Sequence, residues 1–263
     1  MPNDFKSAVS PSGAEASPRP LAVDLWFWPT EARPDQYDLW RGHLDAAEHA
    51  RLARFKFARD QIRFTVCRSR MRRILGWYTR TRPQAVRFTT TGRNKPVLAA
   101  DVEGDAPDGR RIHFNLSHTD GLACLAVTRG HAVGIDLEKR REVKDDFIAY
   151  ALNPAEHAGV EALATADRQA AFFRVWTAKE AYLKALGTGL WQSLKSFDVE
   201  MPAAVAPGTF EPGRLLRIDD AAERARHWQI YTFQATEHHT GALALSTAPE
   251  TQVEIRSRWI GRR

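Results

Sequence analysis

The chain has 263 residues, 43% hydrophobic and 27% charged, enough for one large soluble domain or two smaller ones. No apolar run reaches the roughly 18 residues of a membrane span, and no charged-then-apolar leader opens the chain, so a cytoplasmic protein without membrane contact is expected. A formal net charge of +6 calls for an anionic partner: nucleic acid, a phosphorylated cofactor or an acidic protein.

Residues 1–20 are rich in Pro, Ser and Ala without periodicity and read as a disordered tail. Leu21 to Trp28 alternates as a strand and stops at Pro29. Glu31 to Phe55 reads as a helix with Leu39, Trp40, Leu44 and Ala47 inward. Arg59 to Thr79 reads as a second, with Ile62, Val66, Met71, Ile74 and Leu75 inward and five arginines (63, 68, 70, 72, 73) on the other sides. A short strand at Val86–Thr89 leads into the basic turn Thr91 to Pro96. Strands follow at Ile112–Ser117, Leu122–Val127 and Val133–Glu138. Residues 144–164 form two short helices broken at Asn153-Pro154. A helix through Phe172 to Leu186 has Asp167 as its expected N-cap and Gly187 and Gly189 as stop signals. Four strands complete the chain, near 196–199, 215–218, 228–234 and 242–246. The element order predicts an α+β fold of two similar halves, 21–130 and 131–263, each a small, mostly antiparallel sheet with helices. Cys67 and Cys124 lie among apolar neighbours and read as free thiols of a reducing compartment. His238-His239, in a hairpin turn, reads as solvated.

In Gly134-Ile135-Asp136-Leu137-Glu138 the period of a strand puts Asp136 and Glu138 on one face. Paired carboxylates repel unless a cation sits between them, and oxygen ligands suit Mg²⁺ or Mn²⁺; a solvated strand face carries such pairs as well. On the long helix, Phe173, Trp176, Glu180 and Lys184 share a face. An exposed Glu–Lys pair would account for the last two alone. Asn115-Leu116-Ser117-His118 offers three hydrogen-bonding side chains at a strand end, and Arg93 and Lys95 flank Asn94 in a turn of the kind that holds phosphate. Three carboxylates, a lysine and several phosphate-type donors suit phosphoryl-type transfer.

These motifs, in this order, resemble the 4′-phosphopantetheinyl transferases of the surfactin type: Asn94-Lys95-Pro96, Asn115 to His118, Gly134 to Glu138, and Trp176-x-x-Lys179-Glu180-x-x-x-Lys184. The Arg51 to Asp60 segment is similar to the family's N-terminal stretch, and Asn94 departs from the glycine many members carry there. The resemblance implies a pseudo-twofold monomer with coenzyme A between the halves. It implies Asp136, Glu138 and Glu180 as ligands of Mg²⁺ (Mn²⁺ substituting), and Lys184 on the same phosphates. Arg51, Arg93, Lys95, Asn115, Ser117, His118 and Asp136 belong to the coenzyme A pocket. A serine of an acyl or peptidyl carrier protein, of fatty-acid, polyketide or nonribosomal-peptide type, would attack the β-phosphorus and release adenosine 3′,5′-bisphosphate. Glu180 is the candidate base, directly or through a metal-bound water. The competing readings are a non-catalytic coenzyme A binder and a nucleic-acid module on the arginine-rich helix; the acidic trio argues against nucleic acid.

Overall fold

The computed structural model describes residues 19–91, 95–102, 109–188 and 192–261; Arg93, Asn94, Gly189 and all but the last two residues of the N-terminal tail lie outside them. The first half runs β1 (Leu21–Pro29), α1 (Pro34–Arg41), α2 (Ala46–Leu52), the 22-residue α3 (Ala58–Thr79), β2 (Phe88–Thr90), β3 (Pro96–Leu98), β4 (Ile112–Thr119) and β5 (Leu122–Arg129). The second runs β6 (Val133–Lys139), α4 (Asp145–Ala151), α5 (Pro154–Glu161), the 22-residue α6 (Thr165–Leu186), β7 (Phe197–Glu200), β8 (Phe210–Ile218), α7 (Ala221–Arg224), β9 (His227–Thr236) and β10 (His239–Thr247). The last strand is β11 (Val253–Trp259). Each half opens with a strand, continues through two short helices into one long helix, and returns as antiparallel strands.

The sheets repeat the same plan. One is ordered β11-β1-β5-β4 and the other β6-β10-β9-β8-β7, so β1, β5 and β4 correspond to β6, β10 and β9. β2 and β3 form a separate hairpin. The fold is α+β, and only the β1–β11 pair is parallel among the described residues. Through that pair residues 253–259, at the far end of the chain, form the edge of the sheet that holds β1, β5 and β4.

Strand alternation builds three cores. Val23, Leu25 and Phe27 of β1 face Val133, Ile135 and Leu137 of β6, with Leu243 and Leu245 of β10, between the two sheets. The opposite face of the first sheet, with Trp28, Leu125 and Val127, packs on Val66, Met71 and Leu75 of α3. Ala242 and Ala244 of β10 pack on Phe172, Ala178 and Tyr182 of α6. Each fully buried Leu, Val or Phe contributes about 1.5–3 kcal/mol.

Several local expectations are corrected. The helix expected over 31–55 is two helices, because Asp45 caps α2: its carboxylate accepts from Glu48 N at 2.8 Å, and Glu48 accepts in return from Asp45 N at 3.1 Å. Leu39 is 64% exposed and Ala47 also faces outward. α6 starts at Thr165 after an Ala164 cap, leaving Asp167 in its first turn. Arg72 is fully buried: its guanidinium meets Glu48 at 2.6 Å, Asp45, and the carbonyls of Pro83 and Val86. His239 is buried too, held by Thr236 Oγ1 and the Asp120 carbonyl, while His238 is exposed.

Candidate active site

The site lies where the halves meet. β4 side chains hydrogen-bond to β6 backbone at alternate positions: Asn115 Oδ1 accepts from Ile135 N at 2.9 Å, Ser117 Oγ from Leu137 N at 3.2 Å, and Thr119 Oγ1 from Lys139 N at 3.2 Å. A side-chain ladder with the period of a strand thus takes the place of a backbone ladder along this seam. Gly134 lets α6 lie directly on β6, since a Cβ there would come within 2.0 Å of the Ala181 carbonyl oxygen. Gly187, at φ +74°, ends α6 against the Lys95 side chain.

This packing lowers Glu180 and Lys184 of α6 toward Asp136. The buried Asp136 accepts through Oδ1 from Ser117 Oγ at 3.0 Å and from Lys184 Nζ, and its Oδ2 is buried without a hydrogen-bond partner. Lys184 Nζ also donates to Ser117 Oγ at 3.1 Å. Glu138, on the same face of β6, accepts from Arg141 Nη1 at 3.1 Å and from Thr119 Oγ1 at 3.4 Å. Burial, then the charge of Asp136, raise the Glu180 pKa above the ordinary carboxylate value; Lys184 pulls against them, and Glu138 adds a lesser push upward. Among the described residues, no three His, Cys, Asp or Glu side chains are gathered tightly enough to hold a metal ion as they stand.

Beyond Lys184 lies a cationic cluster. His118 reaches the surface, yet the protein packed around its ring, and then Arg63, Lys184 and Arg51, keep its pKa below that of a free imidazole. Arg51 also stacks over Phe64, 5.3 Å from the ring centroid. Lys95 stands apart: Nζ donates to the carbonyls of Val133 at 2.8 Å and Ala185 at 3.0 Å, and burial pulls its pKa down to about 8. Of the residues singled out in the sequence, Ser117, His118, Asp136, Glu138, Glu180 and Lys184 converge. Asn115 is spent on the seam, Lys95 ties β6 to the end of α6, and Arg93 lies outside the described residues.

The sequence reading missed Arg63 and Thr119. Thr119 continues the alternation of Asn115 and Ser117, which could have found it; no local pattern marks Arg63 among the α3 arginines. The arginine-rich helix is largely committed internally: Arg68 and Arg72 hold Glu48, and Arg70 covers the Trp40 ring at 4.6 Å. Cavities of about 870 Å³ between β8 and β9 and about 1060 Å³ beside the start of β1 contain none of the convergent residues. Convergent chemistry, rather than void size, marks the site.

The family model of the 4′-phosphopantetheinyl transferase superfamily matches residues 132–246, and that of the N-terminal part of 4′-phosphopantetheinyl transferases matches residues 28–130. The chain is similar to the 4′-phosphopantetheinyl transferase HetI of Nostoc sp., 38% identical over 170 residues, which are 64% of this chain and 70% of that protein. It is also similar to the human L-aminoadipate-semialdehyde dehydrogenase-phosphopantetheinyl transferase, 28% identical over 77% of this chain and 67% of the relative. A Thraustochytrium phosphopantetheinyl transferase is 29% identical over 71% of this chain and 69% of its own length. A carboxylate set on β6 and α6, a lysine bound into it and cations beside it thus occur in a chain matched in both halves, and the chain belongs to the 4′-phosphopantetheinyl transferase superfamily.

Proposed function

We propose that the cleft at the β4–β6 seam carries out the family's reaction, transfer of 4′-phosphopantetheine from coenzyme A to a carrier-protein serine, with Asp136, Glu138, Glu180 and Lys184 as its working groups. One observation carries this assignment: Asp136 holds a buried carboxylate oxygen without a partner, with Glu180 and Lys184 brought over it by α6. An orphaned buried carboxylate oxygen is costly, and a hard cation is the partner that suits it. The donor set fits Mg²⁺ or Mn²⁺ once Lys184 turns from Asp136 toward phosphate. Asp136, Glu138 and Glu180 would hold the ion, which would neutralise charge on the pyrophosphate.

The remaining steps belong to the chain's own side chains. Arg51, Arg63, His118 and Lys184 provide a cationic rim for the phosphates of coenzyme A. Glu180 is the group placed to receive the proton of the attacking serine, directly or through a water. The serine oxygen forms a bond to the β-phosphorus, and the bond from that phosphorus to the bridging oxygen breaks, releasing adenosine 3′,5′-bisphosphate.

The carrier would dock on the segment after Glu138, Lys139-Arg140-Arg141-Glu142-Val143-Lys144, beside the exposed Phe147 and Tyr150 of α4. A basic lip of this kind steers an acidic carrier. Each half contributes to the cleft within one chain, which supports action as a monomer. Cys67 and Cys124 are free and buried, in keeping with a reducing cytoplasm, and no helix among the described residues is long and apolar enough to cross a membrane.

The test is mass spectrometry of a panel of apo acyl and peptidyl carriers incubated with the protein, coenzyme A and Mg²⁺. A phosphopantetheine mass gain on a single serine is expected, together with its loss in Asp136→Ala and in EDTA. Full turnover in EDTA would remove the metal from the scheme, and full turnover of Asp136→Ala would remove this carboxylate.

A further inference from the structure

Away from the seam, a cavity of about 380 Å³ opens between α5, α6 and the segment from β7 to Ala203. Its wall is largely apolar, with Val160, Leu163, Ala171, Val175, Met201 and Leu216. One cation, Arg174 of α6, lines it and is only 7% exposed. A guanidinium has five N–H donors and stays charged in proteins. Here it donates one hydrogen bond, to the Ala203 carbonyl, and among the described residues it forms no ion pair. Burial is the largest influence on it, followed by repulsion from Arg140, with a lesser attraction from Asp167.

The three carboxylates on the same wall are already claimed. Glu156 meets Lys179 at 2.8 Å, Asp198 meets Arg217 at 2.8 Å, and Glu200 meets Arg214 at 3.3 Å. Arg174 is therefore a largely buried side chain whose charge has no ion-pair partner among the described residues, and a carboxylate ligand would supply one. Its planar fork matches a carboxylate bidentately. The neighbouring acids disfavour a ligand with several negative charges, and the apolar wall favours an alkyl tail.

We propose that this cavity binds a small monocarboxylate with an unbranched apolar tail, its head on Arg174 and its tail along Val160, Leu163 and Val175. The site is separate from the transfer cleft and does not depend on the residue roles assigned there. Calorimetric titration of the full chain with octanoate tests it, with octanol and acetate as the uncharged and tailless controls. Octanoate is expected to saturate one site, octanol to bind roughly ten- to a hundredfold more weakly, the worth of a charge-assisted hydrogen bond, and acetate to bind more weakly still, because it keeps the charge but lacks the buried tail. Arg174→Met should weaken octanoate by a similar factor. Gly159 lines the mouth of the cavity, and a Cβ there meets nothing within 4 Å; Gly159→Trp should therefore fill the mouth without disturbing the fold and abolish binding. If Arg174→Met does not fold, Gly159→Trp and the octanol comparison decide. Octanoate binding should persist in saturating coenzyme A. Equal binding of octanol, unchanged affinity in the folded variants, displacement by coenzyme A, or no saturable binding would each overturn the proposal.

Discussion

Replacing Gly134 by Ala tests how closely the site depends on helix packing. The added Cβ would stand 2.0 Å from the Ala181 carbonyl oxygen, 2.3 Å from Ala185 N and 2.9 Å from Ala185 Cα, all backbone atoms of one stretch of α6. None can rotate away, so α6 must retreat by about 1 Å before the shortest contact reaches the 3.0 Å limit. Overpacking of a well-filled core costs about 1–3 kcal/mol, and a clash with backbone belongs at or above the top of that range. For a chain of this length about 3 kcal/mol lowers Tm by roughly 6–12 °C. The same retreat lifts Glu180 and Lys184 from Asp136 and Ser117, and a misplacement of about 1 Å costs on the order of a hundredfold in turnover. Scanning calorimetry and carrier modification followed by mass spectrometry measure the two effects. Gly159→Ala, placed where nothing lies within 4 Å of a new Cβ, is the control and should gain about 0.5–1 kcal/mol, as Ala does over Gly within a helix. Gly134→Ala with Tm within about 1 °C and turnover within about twofold of wild type would refute the close-packing argument.

The other expectations address single groups. Glu180 has a raised pKa in the folded protein, so the native state holds more protons than the unfolded chain above the ordinary glutamate value of 4.5, and stability falls as pH rises through that window. Glu180→Gln removes this loss: its Tm should exceed that of wild type near neutral pH, with the difference shrinking toward zero near pH 4, and a pH-independent difference would contradict the assignment. Lys179→Met should cost about 3–5 kcal/mol, because it leaves Glu156 buried without its ion-pair partner; a denaturant titration showing less than about 1 kcal/mol would mean the pair is not a stabilising contact. Arg141 holds Glu138, so the docking surface is better tested by reversing Arg140 and Lys144. The double change to Glu should raise the carrier KM and weaken its salt dependence while leaving the coenzyme A KM near wild type. An unchanged carrier KM would place docking elsewhere.

The sequence by itself determined the parts whose chemistry is local. Alternation along β6 put Asp136 and Glu138 on one face and Ile135 and Leu137 on the other, and Ile135 and Leu137 do lie in the core between the sheets. Helical spacing put Glu180 and Lys184 together, and Asn153-Pro154 divided α4 from α5. Element order was sufficient for the α+β repeat. Tertiary structure decided what depends on partners remote in sequence. β11 carries charged and exposed residues on a sheet edge, so its local pattern is weak, and its parallel pairing to β1 joins the two ends of the chain. Arg72 looked like one more surface arginine until Asp45 and Glu48, over twenty residues earlier, enclosed it. Asn115 and Ser117 looked like open phosphate donors, but folding brings β6 within their reach. Lys95 bonds a carbonyl ninety residues further along. Side-chain type fixes which groups can pair or bind; which of them remain available is settled only when distant segments pack and desolvate them.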